Sequence, residues 1–151
     1  YTYGISVINT HLFSGGSIFL TNKTIMQREF WHQLQQNDIT NISGVPYTYE
    51  MFNKLKFREL KLPKLRLLTQ AGGKLSNDLQ LIFGNFAKEN NKKFIAVSCH
   101  YDIEEWLEPD WVLNTDTGEL LNGFFLSVRQ SLSKYIAQTM MAGECLKTIT
   151  I

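Results

Sequence analysis

One short stretch of this chain combines a strand, a glycine turn and the start of a helix. Residues 65–69 form an apolar run, Gly72 and Gly73 follow it, and Ser76 carries a side chain that commonly caps helices. Glycine provides the backbone freedom that such a tight turn needs. Because ligands of open α/β sheets bind beyond the carboxyl ends of the strands, we expect chemistry at this turn first.

Helix and strand patterns alternate around this stretch. Apolar spacing predicts helices at residues 5–13, 24–34, 47–56 and 76–87, and short apolar runs predict strands at residues 17–20, 39–43, 65–69 and 94–97. Strands that alternate with helices through short connections indicate a parallel sheet with right-handed crossovers. We therefore predict an α/β fold, a parallel sheet with alternating helices, over residues 1–98.

Several residues mark the expected ends of these helices. In the first helix, positions 5, 8, 12 and 13 form one apolar face, and the Ser-Gly-Gly sequence at 14–16 ends it. Thr24 and Gln27 have the spacing of a capping box for the second helix, although Asn22 could cap it instead. Pro46 suits the first position of the third helix.

The pattern changes after Val97. Turn signals at residues 116–118 and 122–123 separate short apolar runs, which is typical of hairpins. Apolar residues at every fourth position predict a helix over residues 128–140, and residues 148–151 could form a last strand. We predict that residues 99–151 are a hairpin-plus-helix extension packed on the same core.

Composition excludes several classes of protein. A net charge of +1 over 151 residues gives no electrostatic case for nucleic acid. No apolar run approaches the roughly 20 residues that span a bilayer, so no membrane is expected. The two cysteines form neither a disulfide framework nor a metal set, which favours a reducing, cytoplasmic location. The start at Tyr1, without a methionine, makes us expect a fragment.

The glycine turn has two interpretations. A Walker phosphate loop needs a glycine where Leu68 stands and a Ser or Thr after Lys74, so this pattern is excluded. A nucleotide could still lie against the turn and the helix at Ser76, but an ordinary strand-to-helix turn remains the simpler alternative. Residues 43–46 form a second glycine-bearing turn, and both turns are expected at one rim of the sheet.

Cys99 and His100, with Asp102 and the acidic residues that follow, could form a nucleophile–base pair or a metal site. The three histidines show no ligand spacing, and an acidic run is usually a solvated surface. We expect His11 and His32, which lie in amphipathic helices, to be partly buried or on the surface.

Three segments together closely resemble the adenylate-forming (AMP-dependent) ligase superfamily, which includes the acyl-CoA synthetases. They are Tyr-Gly-Ile-Ser-Val-Ile-Asn-Thr-His-Leu at 3–12, Ser-Gly-Val-Pro-Tyr-Thr-Tyr-Glu-Met at 43–51 and Leu-Thr-Gln-Ala-Gly-Gly-Lys-Leu at 68–75. The resemblance implies ATP and Mg²⁺ as cofactors and a carboxylic acid as substrate. It further implies an acyl-adenylate intermediate, and coenzyme A, a carrier-protein thiol or an amine as the acceptor.

The resemblance also carries over to individual residues. The segment that lines the acyl pocket corresponds to Ser43, Gly44, Val45 and Pro46. The segment that borders the nucleotide corresponds to Gly72, Gly73 and Lys74. Tyr1 matches the aromatic or histidine position at the start of the first motif.

Other parts of the family pattern are missing. The phosphate loop would precede Tyr1, and the C-terminal domain with the catalytic lysine has no counterpart. After Val97 the family has Tyr-Gly-x-Thr-Glu, where this chain has Ser-Cys-His-Tyr-Asp; only Asp102 keeps an acid. We therefore expect part of an AMP-forming acid ligase that is inactive alone. The alternatives are a non-catalytic module that self-associates or binds a complementing chain, such as the rest of a split ligase, and a small nucleotide binder.

Overall fold

Helices and strands alternate in the computed structural model of the chain, which describes residues 2–97, 107–122 and 148–150. The elements in these residues are α1 Thr2–Phe13, α2 Arg28–Gln36, β1 Asn41–Gly44, α3 Pro46–Lys54, a short 3₁₀ helix Phe57–Glu59, β2 Leu67–Gln70, α4 Asn77–Glu89, β3 Lys93–Ala96, β4 Trp111–Leu113, β5 Leu120–Asn122 and β6 Thr148–Thr150. The predicted α/β fold is confirmed. None of these described helices has the length and apolar character needed to cross a membrane.

All six strands belong to one sheet in the order β1-β2-β3-β6-β4-β5. The first three run parallel, with Ser43 opposite Thr69 and Thr69 opposite Ile95. Strand β6 is antiparallel to both β3 and β4, and β4 and β5 form an antiparallel hairpin. The predicted hairpin and last strand are thus confirmed, whereas the helix predicted over residues 128–140 lies outside the described residues.

The core lies between the sheet and the helices α3 and α4. The rings of Tyr49, Phe52, Phe57, Phe83 and Phe94 are all buried there. Phe52 and Phe57 stack at 4.6 Å between ring centroids, and Tyr49 meets Phe83 edge-on at 4.9 Å. The spacing of apolar residues on α4 places its aromatic side chains on one side, where they reach this cluster. Two residues from the part of the chain after β3, Leu107 and Val112, are buried in the same cluster.

Three of the predicted helix ends are confirmed. Gly16 N donates to His11 O at 2.7 Å and closes α1. Pro46 is the first residue of α3, where its missing N–H costs no hydrogen bond. Ser76 precedes α4, and its hydroxyl oxygen accepts from Leu79 N at 3.4 Å.

Two predictions about the segment after α1 were wrong. Residues 17–20 do not form a strand, and Leu20 remains 79% exposed. An apolar run becomes a strand only if a neighbouring strand pairs with it, and here none does among the described residues. The second helix begins at Arg28 and not at Thr24. The predicted bond from Thr24 N to Gln27 Oε1 is present at 2.8 Å, but it closes a turn that precedes the helix.

Candidate functional site

The carboxyl ends of β1 and β2 form one rim, as their parallel pairing requires. The hydrogen-bond ladder continues beyond the strands, since Ala71 N donates to Gly44 O at 3.2 Å. Val97 N donates to Gln70 O at 3.2 Å on the other side. The turns that follow β1 and β2, at residues 43–46 and 71–76, are therefore neighbours, as we predicted from the sequence.

The second of these turns depends on its glycines. Gly72 has a φ of 80° and Gly73 a φ of 152°, values at which a side chain would be strained. A Cβ on Gly72 would lie 3.3 Å from Val45 Cγ1, and a Cβ on Gly73 would lie 3.3 Å from Pro46 Cγ. The glycines thus allow the two turns to pack against each other and leave the backbone at 72–73 exposed.

Gly44 serves packing rather than an unusual φ. A Cβ at this position would lie 2.9 Å from both Cβ and Cγ2 of Thr48 and 3.1 Å from Tyr49 Cε2. Helix α3 can approach the end of β1 this closely only because residue 44 has no side chain. The closeness explains a glycine in the first turn without any ligand.

Three hydroxyl groups link α1 to the face of the sheet that α3 and α4 do not cover. Tyr3 Oη lies 2.8 Å from Thr69 Oγ1, and Thr69 Oγ1 donates to Ser43 Oγ at 2.8 Å. A hydroxyl carries one proton, so Thr69 donates to Ser43 while it accepts from Tyr3. Ser43 keeps its own proton to donate to another group, and it is only half-buried at the rim.

His11 has a structural environment. Its Nδ1 lies 2.8 Å from Val7 O, and its Nε2 lies 3.1 Å from Asn41 Nδ2. Since a carbonyl only accepts, Nδ1 carries the proton, and Nε2 then accepts from the Asn41 amide. The prediction of a partly buried His11 is confirmed, and both ring nitrogens are engaged. His32 is exposed on α2.

Two buried glutamines beneath the second turn were missed by sequence reasoning. Gln70 Nε2 donates to Gly73 O at 2.9 Å, and Gln80 Nε2 donates to Leu75 O at 3.0 Å. Gln70 is 1% exposed and Gln80 is 2% exposed. Their Oε1 atoms have no hydrogen-bond partner among the described residues. Glutamine is usually a surface residue, so no local pattern indicates this burial.

Tyr49 is the third buried polar group near this end of the sheet. Its hydroxyl also lacks a hydrogen-bond partner within the described ranges. Burial, and to a smaller degree the nearby Tyr3, raises the pKa of the Tyr49 phenol well above its usual value. The phenol therefore stays protonated at neutral pH and contributes no charge to the rim.

A cavity of about 550 Å³ lies beside the rim, along the outer edge of β1. Its lining includes Val7 and His11 of α1, Phe19, Phe30 of α2, and Asn41 and Ser43 of β1. Ser43 thus belongs both to the hydroxyl chain and to this cavity. The sequence did not predict this cavity. Residues 17–19, where we expected a strand, are part of its lining.

Of the other predicted site residues, the structure describes only Lys74. Lys74 is exposed at the rim and is the cation of the second turn. The Cys99–His100–Asp102 group and Tyr1 lie outside the described residues. Within residues 2–97, 107–122 and 148–150, no group of three or more His, Cys, Asp or Glu residues could hold a metal ion.

Comparisons with known proteins add no family to this geometry. No family model matches the chain, and no curated protein matches it.

Proposed function

We propose that this chain is part of an AMP-forming carboxylic acid ligase, with acid and nucleotide at the two turns of the rim. The observation that best supports this is the meeting of the three segments on which the resemblance rests. Tyr3, Thr69 and Ser43 belong to different segments, and Tyr3 and Thr69 are 66 residues apart, yet their hydroxyls form one hydrogen-bonded chain.

Each part of the rim has a role in this proposal. The free proton of Ser43 suits a hydrogen bond to an oxygen of the acid. The exposed backbone at Gly72 and Gly73 allows a planar base or acyl group to approach closely, and Lys74 offsets phosphate charge. ATP, bound with Mg²⁺, would supply the α-phosphate. The carboxylate of the acid would attack it, and pyrophosphate would leave. The described residues provide no cluster of acids for that metal.

The location that goes with this proposal is the cytoplasm, because the chain has only two cysteines.

Binding of N-acylsulfamoyl adenosines, which mimic an acyl-adenylate, tests this proposal by calorimetry. We expect saturable binding, weakened about fivefold by Ser43→Ala through loss of one hydrogen bond. Ser14→Ala, at an exposed serine after α1, is the matched control and should bind as the wild type does. No binding of any analogue across a panel of acyl groups would overturn the proposal.

Pyrophosphate release measures whether the 151-residue chain turns over ATP by itself. We expect no acid-dependent release, because residues 98–102 lack the Thr and Glu that the resemblance assigns to phosphates and Mg²⁺. Clear release that depends on one acid of a panel would show that the chain is active alone.

A second candidate function, a module that binds another chain, is favoured by the outer side of α1. Ile5 is 60% exposed, Leu12 59% and Phe13 95%. Such an apolar strip is typical of interaction surfaces. Sedimentation at increasing concentration tests self-association, and Leu12→Lys with Phe13→Lys should abolish it. A monomer at every concentration would contradict self-association and leave a complementing chain as the partner of this candidate.

A further inference from the structure

Two buried side chains form hydrogen bonds to backbone carbonyls of the loop at residues 71–76. Gln70, the last residue of β2, donates to the carbonyl of Gly73, and Gln80, in α4, donates to the carbonyl of Leu75. Both side chains come from rigid elements that flank the loop. Each is more than nine-tenths buried, so its rotamer is restricted by packing.

This arrangement is costly for stability. Both glutamines bury an Oε1 atom that has no partner among the described residues, and a buried polar atom without a partner destabilises the folded state. A methionine has nearly the same volume and no such oxygen, so it removes this penalty at either position. The net effect then depends on whether water can reach the carbonyl that loses its donor. Gly73 is exposed and its bond from Gln70 is only part-buried, so water can replace Gln70 as the donor to the Gly73 carbonyl. Stability alone therefore does not explain Gln70.

We propose that Gln70 and Gln80 are positioning residues that hold residues 71–76 in the shape required by the ligand site. Gln70 positions the exposed Gly72–Gly73 backbone, and Gln80 positions the start of α4. The link to a ligand rests on the proposed function, whereas the effect on the loop itself does not. Polar side chains kept at a cost in stability are expected where a site needs a fixed geometry.

The variants Gln70→Met and Gln36→Met separate positioning from stability. Gln36 lies exposed near the end of α2 and serves as the control. We expect Gln70→Met to melt at a temperature no lower than the control. At the same time, the amide order parameters of Gly72 and Gly73 should fall from about 0.85 to below about 0.6, the range of flexible loops.

Gln80→Met is expected to behave differently. Leu75 is buried at 1% exposure, so water cannot replace the lost donor to its carbonyl. This variant should melt at a lower temperature than Gln36→Met and should loosen Leu75 and Ser76. Unchanged order parameters in both glutamine variants, or a lower melting temperature in Gln70→Met with an unchanged loop, would overturn the proposal.

Titration with AMP provides the ligand readout. We expect Gln70→Met to weaken AMP binding about tenfold, and Gln36→Met to leave it unchanged. A further outcome is that the loop loosens as expected in the variants while the wild type binds neither AMP nor an acyl-adenylate mimic. That result would contradict the proposed function but would confirm that Gln70 and Gln80 position residues 71–76. If AMP binds equally to both variants, the loop position does not serve the ligand and the proposal is overturned.

Discussion

The two faces of the parallel sheet are covered by helices that contact it in different ways. On one face α3 and α4 bury interlocked aromatic rings, centred on Phe83, whose ring contacts those of four other aromatic residues. On the other face α1 lies against the strands through hydrogen bonds, from Tyr3 to Thr69 and from His11 to Asn41. The first face is a packed core, and the second is a polar contact beside a cavity.

The aromatic face therefore contributes mainly to stability, whereas the polar face carries the proposed acid site. Close-packed apolar residues provide most of the free energy of folding and tolerate little change. Hydrogen bonds contribute less, but they orient groups precisely. The proposed acid site, at Ser43, lies on the polar face, whereas Gln70 and Tyr49 bring polar groups to the edge of the packed one. We expect substitutions on the aromatic face to change stability most.

The largest effect is expected at Phe83. Phe83→Ala opens a cavity among the rings and should lower the free energy of unfolding by about 3–5 kcal/mol. Leu12→Ala, at an exposed position of α1, should change it by less than about 0.5 kcal/mol. Urea denaturation measures both. Equal losses in the two variants would contradict the close packing of the rings around Phe83.

The next largest effect is expected at Gly44. Gly44→Ala places a Cβ 2.9 Å from Thr48, so α3 must shift, at a cost of about 1–3 kcal/mol in unfolding free energy. Gly4→Ala is the control, because nothing lies within 4 Å of its added Cβ. In helix α1 this control should raise stability by up to about 1 kcal/mol. A harmless Gly44→Ala would contradict the close packing of the first turn.

A smaller loss is expected on the polar face. Tyr3→Phe removes the first donor of the hydroxyl chain and should lower the unfolding free energy by about 0.5–1.5 kcal/mol. Tyr47→Phe, at a tyrosine that is 62% exposed, should have almost no effect. Thermal denaturation of both variants at one pH distinguishes them. The same change in stability for both variants would show that the Tyr3 hydroxyl does not stabilise the contact between α1 and the sheet.

Tyr49→Phe should change stability in the opposite direction at pH 7 and should also change its pH dependence. Removing a buried hydroxyl without a partner among the described residues should raise stability by about 1 kcal/mol. Burial raises the folded-state pKa of Tyr49, so deprotonation of this phenol favours the unfolded chain. The wild type therefore keeps its full stability below the unfolded pKa of about 10 and loses stability as the pH rises towards the folded value.

Unfolding free energies between pH 8 and 11 test this alkaline dependence. The wild type should lose stability above about pH 10, the usual pKa of tyrosine, more steeply than Tyr49→Phe does. Tyr47→Phe should keep the wild-type slope, because Tyr47 is exposed. A parallel loss in all three proteins would exclude Tyr49 as the group responsible.

Local patterns predicted much of the fold. The spacing on α4, the cap at Ser76 and the proline that opens α3 depend only on neighbouring residues, and all three are confirmed. The strand at residues 17–20 was wrong, because an apolar run cannot show whether a partner strand pairs with it. The start of α2 was misplaced: the predicted bond from Thr24 N to Gln27 Oε1 forms, but in a turn before the helix, which begins at Arg28.

The candidate site was partly predictable for the same reason. Two glycine turns at strand ends predicted the rim, and the parallel register brings them together. The residues beneath it, Gln70 and Gln80, were not predictable, because burial of a glutamine is decided by what packs around it. The side of α1 that meets the sheet was also undetermined: position 12, part of its apolar face, stays exposed, while Tyr3 and His11 make the contact.

By itself, the sequence determined the alternation of helices and strands and the two glycine turns at strand ends. These follow from backbone freedom and apolar spacing, which act over a few residues. Tertiary structure decided which face of α1 meets the sheet, which strands pair, and which hydroxyls and amides come within bonding distance. Those outcomes depend on groups as far apart as Tyr3 and Thr69, and only the folded chain brings them together.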